Sequence, residues 1–206
     1  MPSSLQGKVK DDGQRISAES VERMRAYGSA YRTKRIPVSR VVSSEYYFVW
    51  QHAEAAFGAP IDIHRDLTGS LDFSDERELE ASLQGLRNRT VTPPDPGSNT
   101  VLFTHQGKYD KAYGYCPDAG TTIIFRPDGS GTPRVVAVLD LDSFLNLSRI
   151  TRRTGADRPS DARDSSDLHD TLRDPPVTSH VVLAFRWRGL VGVLWRSGQL
   201  APTTRG

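Results

Sequence analysis

Polar side chains follow two apolar segments of the chain, at the points where predicted strands end. Ser43 and Ser44 come directly after two valines, and His105 and Gln106 close the segment NTVLFTHQ. Ligands of open α/β sheets bind where strands end, because loops and helix N-termini gather there and present unpaired N–H groups. A histidine at such a position can act as a nucleophile or as a ligand for an anion.

Each of these residues also has a simpler structural interpretation. A single histidine at a strand end is more often a hydrogen-bonded structural residue than a catalytic one, and the serines are typical loop formers. Arg15 and Arg126 could face an anion, but arginines are usually solvated or ion-paired. Cys116 is the only cysteine, which excludes an intrachain disulfide and a Cys-rich metal site. We predict neither a metal nor a cofactor.

The elements that would position these residues alternate between helices and strands. Ser17 is the predicted N-cap of an amphipathic helix that ends before Pro37. A second helix is predicted in the segment EYYFVWQHAEAAFG, closed by Gly58, and a third over residues 74–89. The apolar run of residues 99–105 is typical of an interior strand of a parallel sheet.

The second half of the sequence predicts a hairpin and then a polar tail. TTIIFRP and RVVAVLDL are the predicted hairpin strands, joined by a loop in which Gly129 and Gly131 permit positive φ angles. The core signal is weak after Leu141, and residues 148–176 carry mostly Arg, Asp, Ser and Pro, which predicts a linker. A last apolar segment, HVVLAFRWRGLVGVLW, begins at His180.

Length and charge exclude several classes of protein. The 206 residues suffice for one domain, and a formal net charge of +2 argues against a nucleic-acid partner. No apolar run approaches the roughly 18 residues of a membrane span, and the N-terminal residues have no apolar secretion signal. The sequence therefore predicts a cytoplasmic protein that binds neither nucleic acid nor membrane.

Several consecutive segments, taken together, resemble the histidine phosphatase superfamily, which includes the phosphoglycerate mutases. They are QRISAESVERMRAYGSAYRTKRIPVSRVVSSEYYFVWQHAEAAFG, PPDPGSNTVLFTHQG and IIFRPDGSG, which cover roughly residues 14–140 in order. The resemblance implies a histidine nucleophile, in an Arg-His-Gly motif after the first strand, that takes a phosphoryl group. It also implies a second histidine and two arginines that clamp the phosphoryl oxygens, and an acidic group that protonates the leaving oxygen.

Only part of this site is present in the sequence. The resemblance assigns His105 to the second family histidine, and Gln106 stands where glycine or alanine is usual. Residues 1–13 contain no histidine, and no Arg-His-Gly or Arg-His-Ala precedes the first helix, so no nucleophile can be assigned. The family's Ser-Ser-Pro-Tyr followed by arginine is here SSEYYFVW, which puts Phe48 in place of the second clamping arginine and Glu45 in place of the proline.

The resemblance implies an α/β fold with a mixed, mainly parallel sheet flanked by helices, its first strand missing, and a C-terminal β-hairpin. We assign residues 1–13 to an N-terminal arm and residues 14–141 to this domain. Residues 142–206 are assigned to an Arg- and Asp-rich linker and C-terminal extension, since every charged residue after Lys111 is Arg or Asp. Within the domain, the catalytic candidate and then the phosphate-binding candidates are His105, Ser43, Ser44, Arg15 and Gln106.

Three functions stay open. The first is a phosphoryl-ester hydrolase by ancestry that has lost catalysis, as a degenerate member or as a product without the segment for the first strand. The second is an active phosphomonoesterase with a substituted site around His105. The third is a non-catalytic anion-binding or interaction module. The expected partners are a phosphorylated small molecule, inorganic phosphate, or a second copy that pairs through an exposed sheet edge.

A missing first strand leaves two possibilities for the strand NTVLFTH, an exposed edge or a different neighbour. Without it, the interior strand NTVLFTH would carry unpaired backbone groups, which is unfavourable unless another strand fills the gap. HVVLAFRW is the spare strand-like segment of the chain. It ends in Arg186, where the missing strand would end in arginine, and Trp187 follows where the histidine would stand. Replacement of the first strand by this segment is therefore the alternative to an exposed edge.

Overall fold

A six-stranded mixed sheet between two layers of helices forms the structure, a computed structural model that describes residues 2–127 and 130–147 and the backbone of residues 180–185. The helices are α1 (Ala18–Thr33), α2 (Tyr47–Phe57), α3 (Glu76–Val91), α4 (Gln106–Tyr113) and α5 (Leu141–Asn146). The strands are β1 (Val38–Ser43), β2 (Asp62–Ile63), β3 (Asn99–His105), β4 (Thr122–Phe125), β5 (Val135–Leu139) and β6 (His180–Phe185).

The strands follow the order β2-β1-β3-β6-β4-β5 across the sheet. Strands β2, β1, β3 and β6 are neighbours in that order and run parallel to one another. Strand β4 runs antiparallel to both of its neighbours, β6 and β5. This arrangement confirms the predicted fold class, a mixed and mainly parallel sheet flanked by helices, and it confirms the hairpin of β4 and β5. None of the helices in the described part of the chain is long and apolar enough to cross a membrane.

The vacant position expected beside β3 is filled. Strand β6 pairs in parallel with β3 from Thr100 opposite His180 to His105 opposite Phe185, and its other side pairs with β4. The backbone groups that β3 would leave unpaired without a neighbour therefore have partners in β6, as an interior strand requires. The segment that begins at His180 is therefore the neighbour of β3 in the sheet.

Elements from beyond residue 141 thus belong to the α/β structure. Besides β6, helix α5 packs Phe144 against α1, with ring centroids 4.5 Å from Tyr27 and 5.2 Å from Tyr31. The predicted linker of residues 148–176 lies outside the described residues, as do residues 186–206. The outer edges of the described sheet are β2 and β5.

Both faces of β3 are buried, which explains its continuous apolar sequence. Val101 and Phe103 pack into a cluster with α1, α2 and α5, while Leu102 packs into a second cluster with residues of α3 and α4. Successive side chains of a strand point to opposite faces, so a strand covered on both faces has no polar alternation. This double layer holds the carboxyl end of β3, and with it His105, inside the protein.

Local sequence signals fix the helix ends, at Ser17 and Gly58 as predicted and at Asp75 in addition. The Ser17 side chain accepts a hydrogen bond from the Ser20 N–H at the start of α1, and Gly58 ends α2 with a φ of 72°. At the start of α3, Asp75 accepts from two backbone N–H groups. Helices α1 and α2 cross closely, since a Cβ built on Gly28 would lie 1.7 Å from the Ala56 carbonyl oxygen.

The N-terminal arm lies against the loop that follows β1. Leu5 packs with Tyr47 and Trp50 in a small apolar cluster. The backbone of Lys10 donates a hydrogen bond to the Glu45 carbonyl and accepts one from the Tyr47 N–H. These contacts bring the Lys10 side chain to the end of the sheet where His105 lies.

Candidate functional site

His105 and Ser44, two of the candidate residues, meet at the carboxyl end of the parallel strands. His105 is both the last residue of β3 and the residue that precedes α4, and 5% of it is exposed. Its Nε2 lies 2.9 Å from Ser44 Oγ. Ser44 Oγ also accepts a hydrogen bond from the Tyr46 N–H, so its own proton is free to be donated to a neutral imidazole.

Two aromatic rings and a glycine enclose the His105 imidazole. Its centroid lies 5.3 Å from that of Tyr46 and 5.7 Å from that of Phe48, both in edge-on geometry. A Cβ built on Gly69 would approach Nδ1 to 3.3 Å, so the loop after β2 closes tightly over the ring. Burial lowers the pKa of His105 to about 4, an effect that the charge of Asp72 partly opposes. The imidazole is therefore neutral at neutral pH.

Two cations near this end of the sheet, Arg65 and Lys10, are paired with carboxylates. Arg65 Nη1 lies 3.5 Å from Glu45 Oε2 and 3.6 Å from Asp72 Oδ2. Lys10 forms an ion pair with Asp72, and the Tyr46 hydroxyl donates to the other oxygen of that carboxylate at 3.1 Å. Because both of these positive charges have carboxylate partners, this network of Lys10, Arg65, Glu45 and Asp72 offers little net attraction to a dianion.

The remaining predicted phosphate ligands are placed differently from His105. Ser43 is fully buried at the end of β1, and its Oγ has no hydrogen-bond partner among the described residues. The Gln106 side-chain amide donates to the Pro117 carbonyl. Arg15 makes two hydrogen bonds to Asp11 and stacks over the Tyr47 ring, 4.8 Å from its centroid. In the described part of the chain, the hydrogen bonds of Gln106 and Arg15 go to these other residues and not to the imidazole.

Sequence reasoning missed the residues that cover the site from the loop of residues 64–73. This loop contributes Arg65, Gly69 and Asp72, and Thr68 ties it down by donating to Glu45 Oε2 at 3.1 Å. The loop has no apolar periodicity, and its two 3-10 turns are only three residues each. A turn signal could have located the loop, but only the tertiary structure brings it over His105.

Acidification is expected to destabilise the protein through His105. Its folded pKa of about 4 lies below the ordinary value of about 6.5, so between these pH values the unfolded chain binds a proton that the folded protein does not. In this window the free energy of unfolding should decrease as the pH is lowered, by up to about 1.4 kcal/mol per pH unit for each such group. Burial also lowers the pKa of His52 to about 4, so two histidines contribute.

Urea unfolding at several values between pH 6.5 and 4.5 measures this slope. His105→Gln, whose amide can replace the Nε2 contact with Ser44, should remove about half of the histidine contribution, and His52→Gln should remove a similar share. A slope that His105→Gln leaves unchanged would show that His105 is protonated in the folded protein.

Fold and site together define an α/β protein with a buried histidine–serine pair at the carboxyl end of its parallel strands. No protein-family model and no curated protein matches this chain. A solved structure that is similar to it is that of the protein histidine phosphatase SixA complexed with tungstate. That similarity has 16% sequence identity and a TM-score of 0.43, and it covers 62% of this chain and 85% of that chain.

Proposed function

We propose that this protein is a histidine-phosphatase-like domain that does not hydrolyse phosphate esters. One observation carries the proposal: His105, the counterpart of the second family histidine, is buried, bonded to Ser44 and covered by the Phe48 ring. Phe48 stands where the family resemblance calls for a phosphate-clamping arginine. An apolar ring at this position excludes a phosphoryl group instead of binding it.

The charges around the site support the same conclusion. A phosphoryl-transfer site stabilises charge on the equatorial oxygens with fixed cationic donors. Here Arg65 and Lys10 are each within 4 Å of carboxylates, and the lowered pKa of His105 keeps its ring neutral at neutral pH. His105 can therefore hold Ser44 in place, but it contributes no positive charge to a bound phosphate.

The position of β6 adds a reason for the missing nucleophile. In the family pattern, the strand beside the second histidine ends in Arg-His. Strand β6 pairs with β3 so that Phe185 is opposite His105, and the next residues in the sequence are Arg186 and Trp187. We propose that β6 takes the place of the family's first strand and that tryptophan replaces its nucleophile. An indole has no lone pair available for phosphoryl transfer.

Hydrolysis of p-nitrophenyl phosphate by the full chain tests the proposal. The wild type is expected to release p-nitrophenol no faster than buffer without protein does, and His105→Ala should give the same rate. His64→Ala removes a histidine that is about half exposed and serves as the matched control. Hydrolysis that His105→Ala abolishes and His64→Ala retains would overturn the proposal and favour an active enzyme with a substituted site.

Calorimetric titration with inorganic phosphate tests the remaining alternative, that the protein is a non-catalytic anion-binding module. We expect no saturable binding, because Lys10 and Arg65 already have carboxylate partners. Saturable binding that His105→Ala weakens, in the absence of hydrolysis, would establish the anion-binding module instead.

A further inference from the structure

A cavity of about 320 Å³ lies between helix α3 and the sheet. The residues that line it come from β1, β3, α3, the loop that follows α3, and the 3-10 turn after β2. Strand β2 pairs with Val42 and Ser43, so on that side of β1 the earlier residues have no partner strand in the described part of the chain. The short β2 therefore leaves room for the cavity beside β1.

The cavity has an apolar inner wall and an entrance from solvent. Val42 and Leu102, each 1% exposed, line its inner wall. Arg40 and Asp95 also line it, and both reach the surface: 57% of the Arg40 side chain is exposed, and Asp95 is exposed as well. The volume is at the lower end of the range of small-molecule sites, which combine apolar walls with a few polar groups. A small molecule can therefore reach the charged groups of this cavity directly.

Two guanidinium groups line the cavity, and each is held through Nε alone. Arg40 Nε donates to Asp62 Oδ2 at 2.6 Å, and Arg89 Nε donates to Asp66 Oδ2 at 3.1 Å. Neither side chain forms another hydrogen bond or ion pair within the described residues, so four of the five N–H donors of each remain for a ligand. Arg65 differs from both, because its Nη1 and Nη2 already contact carboxylates.

Asp66 fixes the position of the Arg89 guanidinium. A Cβ built on Gly85 would overlap the Asp66 carboxylate, so this carboxylate lies directly on the backbone of α3, one turn before Arg89. His64 Nδ1 lies 3.0 Å from the same carboxylate. Only 20% of the Arg89 side chain is exposed, so its guanidinium has little freedom to lose when a ligand binds.

A carboxylate without a partner lines the same cavity. The Asp95 backbone carbonyl accepts hydrogen bonds from the N–H and the hydroxyl of Ser98, whereas its carboxylate has no hydrogen bond or ion pair in the part of the chain that the structure describes. Pro93 and Pro94 precede it and restrict the backbone of this loop. The charged residues of the lining are two arginines and two aspartates, so their formal charges balance.

We propose that this cavity binds a free α-amino acid with an apolar side chain. The α-carboxylate accepts hydrogen bonds from the Nη groups of Arg40 and Arg89, and the ammonium group pairs with Asp95. The apolar side chain packs on Val42 and Leu102. A balanced lining favours a zwitterion over a dianion, because a dianion would add two negative charges where there is no net positive charge to offset them.

Calorimetric titration of the native full chain with L-leucine at pH 7 tests the proposal. Two analogues separate the charges: 4-methylpentanoate has the carboxylate without the ammonium group, and 3-methylbutylamine has the ammonium group without the carboxylate. We expect saturable binding of leucine and binding of each analogue that is weaker by about tenfold or more, because each lacks one charge-assisted contact. No saturable binding of leucine, or equal affinity for leucine and either analogue, would overturn the proposal.

Two variants provide the second measurement. Arg89→Gln should weaken leucine binding by about tenfold or more. Asp95→Asn should weaken leucine binding to a similar extent without weakening that of 4-methylpentanoate, which has no ammonium group to lose a partner. Arg77→Gln is the matched control, since Arg77 is exposed on the same helix and lies outside the cavity lining. Leucine binding that Arg77→Gln weakens as much as Arg89→Gln would reflect net charge alone and would overturn the proposal.

This proposal and the proposed function can fail separately. Neither Ser44 nor His105 lines the cavity, so His105→Ala should bind leucine as the wild type does, whatever its effect on phosphate chemistry. Leucine binding that His105→Ala abolishes while Arg89→Gln retains it would overturn the assignment of leucine to this cavity.

Discussion

A shortened chain that ends at Leu147 is expected to lose its cooperative unfolding transition. Strand β6 pairs with β3 on one side and with β4 on the other. Without it, the β3 backbone from Thr100 to His105 has no partner on that side, and the hairpin of β4 and β5 is separated from the parallel strands. Unpaired backbone groups in a buried strand are each unfavourable by about 1–3 kcal/mol, which together exceeds the stability of an ordinary domain.

Circular dichroism and urea unfolding of the shortened chain measure this loss. A peptide of residues 178–187, added in trans, should restore the transition, because it supplies the missing backbone partner. The matched control is the same peptide with Val182→Pro, which removes a backbone donor and introduces a ring in a central strand. A shortened chain that unfolds at the same urea concentration as the full chain would contradict the position of β6.

Gly28→Ala is expected to destabilise the protein by about 3 kcal/mol or more, although alanine is the better helix former. The new Cβ would lie 1.7 Å from the carbonyl oxygen and 2.6 Å from the carbonyl carbon of Ala56. Both are backbone atoms of α2, so no side-chain rotation can relieve the contact. The two helices would have to separate, which loosens the packing of Tyr27 and Phe57.

Urea unfolding of Gly28→Ala against the wild type gives this difference directly. Ser29→Ala is the matched control, since Ser29 is the next residue of α1 and is exposed, and its effect should stay within about 0.5 kcal/mol. If Gly28→Ala were as stable as Ser29→Ala, the close crossing of α1 and α2 could not be correct.

The sequence predicts those elements whose signals are local. Strand β3 was predicted over the residues that form it, because an apolar run ended by polar residues on both sides marks a strand covered on both faces. Helix α4 was missed, since its eight residues, QGKYDKAY, have glycine near the start and no apolar periodicity. The pattern of β6 was visible as a strand, but the sequence offered its position between β3 and β4 only as one alternative, because pairing depends on distant residues.

The same distinction holds for the candidate site. His105 and Ser44 could be brought together in advance, because both end strands of one parallel sheet and such ends share an edge. The positions of Asp72 and Arg65 beside His105 could not be predicted in this way. Their contacts depend on how the loop after β2 folds over α4, and no residue pattern within that loop specifies its path.

The central strand β6 is also the last described strand to be synthesised, so its neighbours β3 and β4 are made before it. His180 is paired with Thr100, which leaves the ribosome eighty residues earlier. At roughly 5–20 residues per second, β3 is exposed for about 4–16 s before its neighbour has been made. During that time one side of β3 and one side of β4 lack their backbone partner and are open to pairing with other chains, although helices α1 to α5 have already been synthesised.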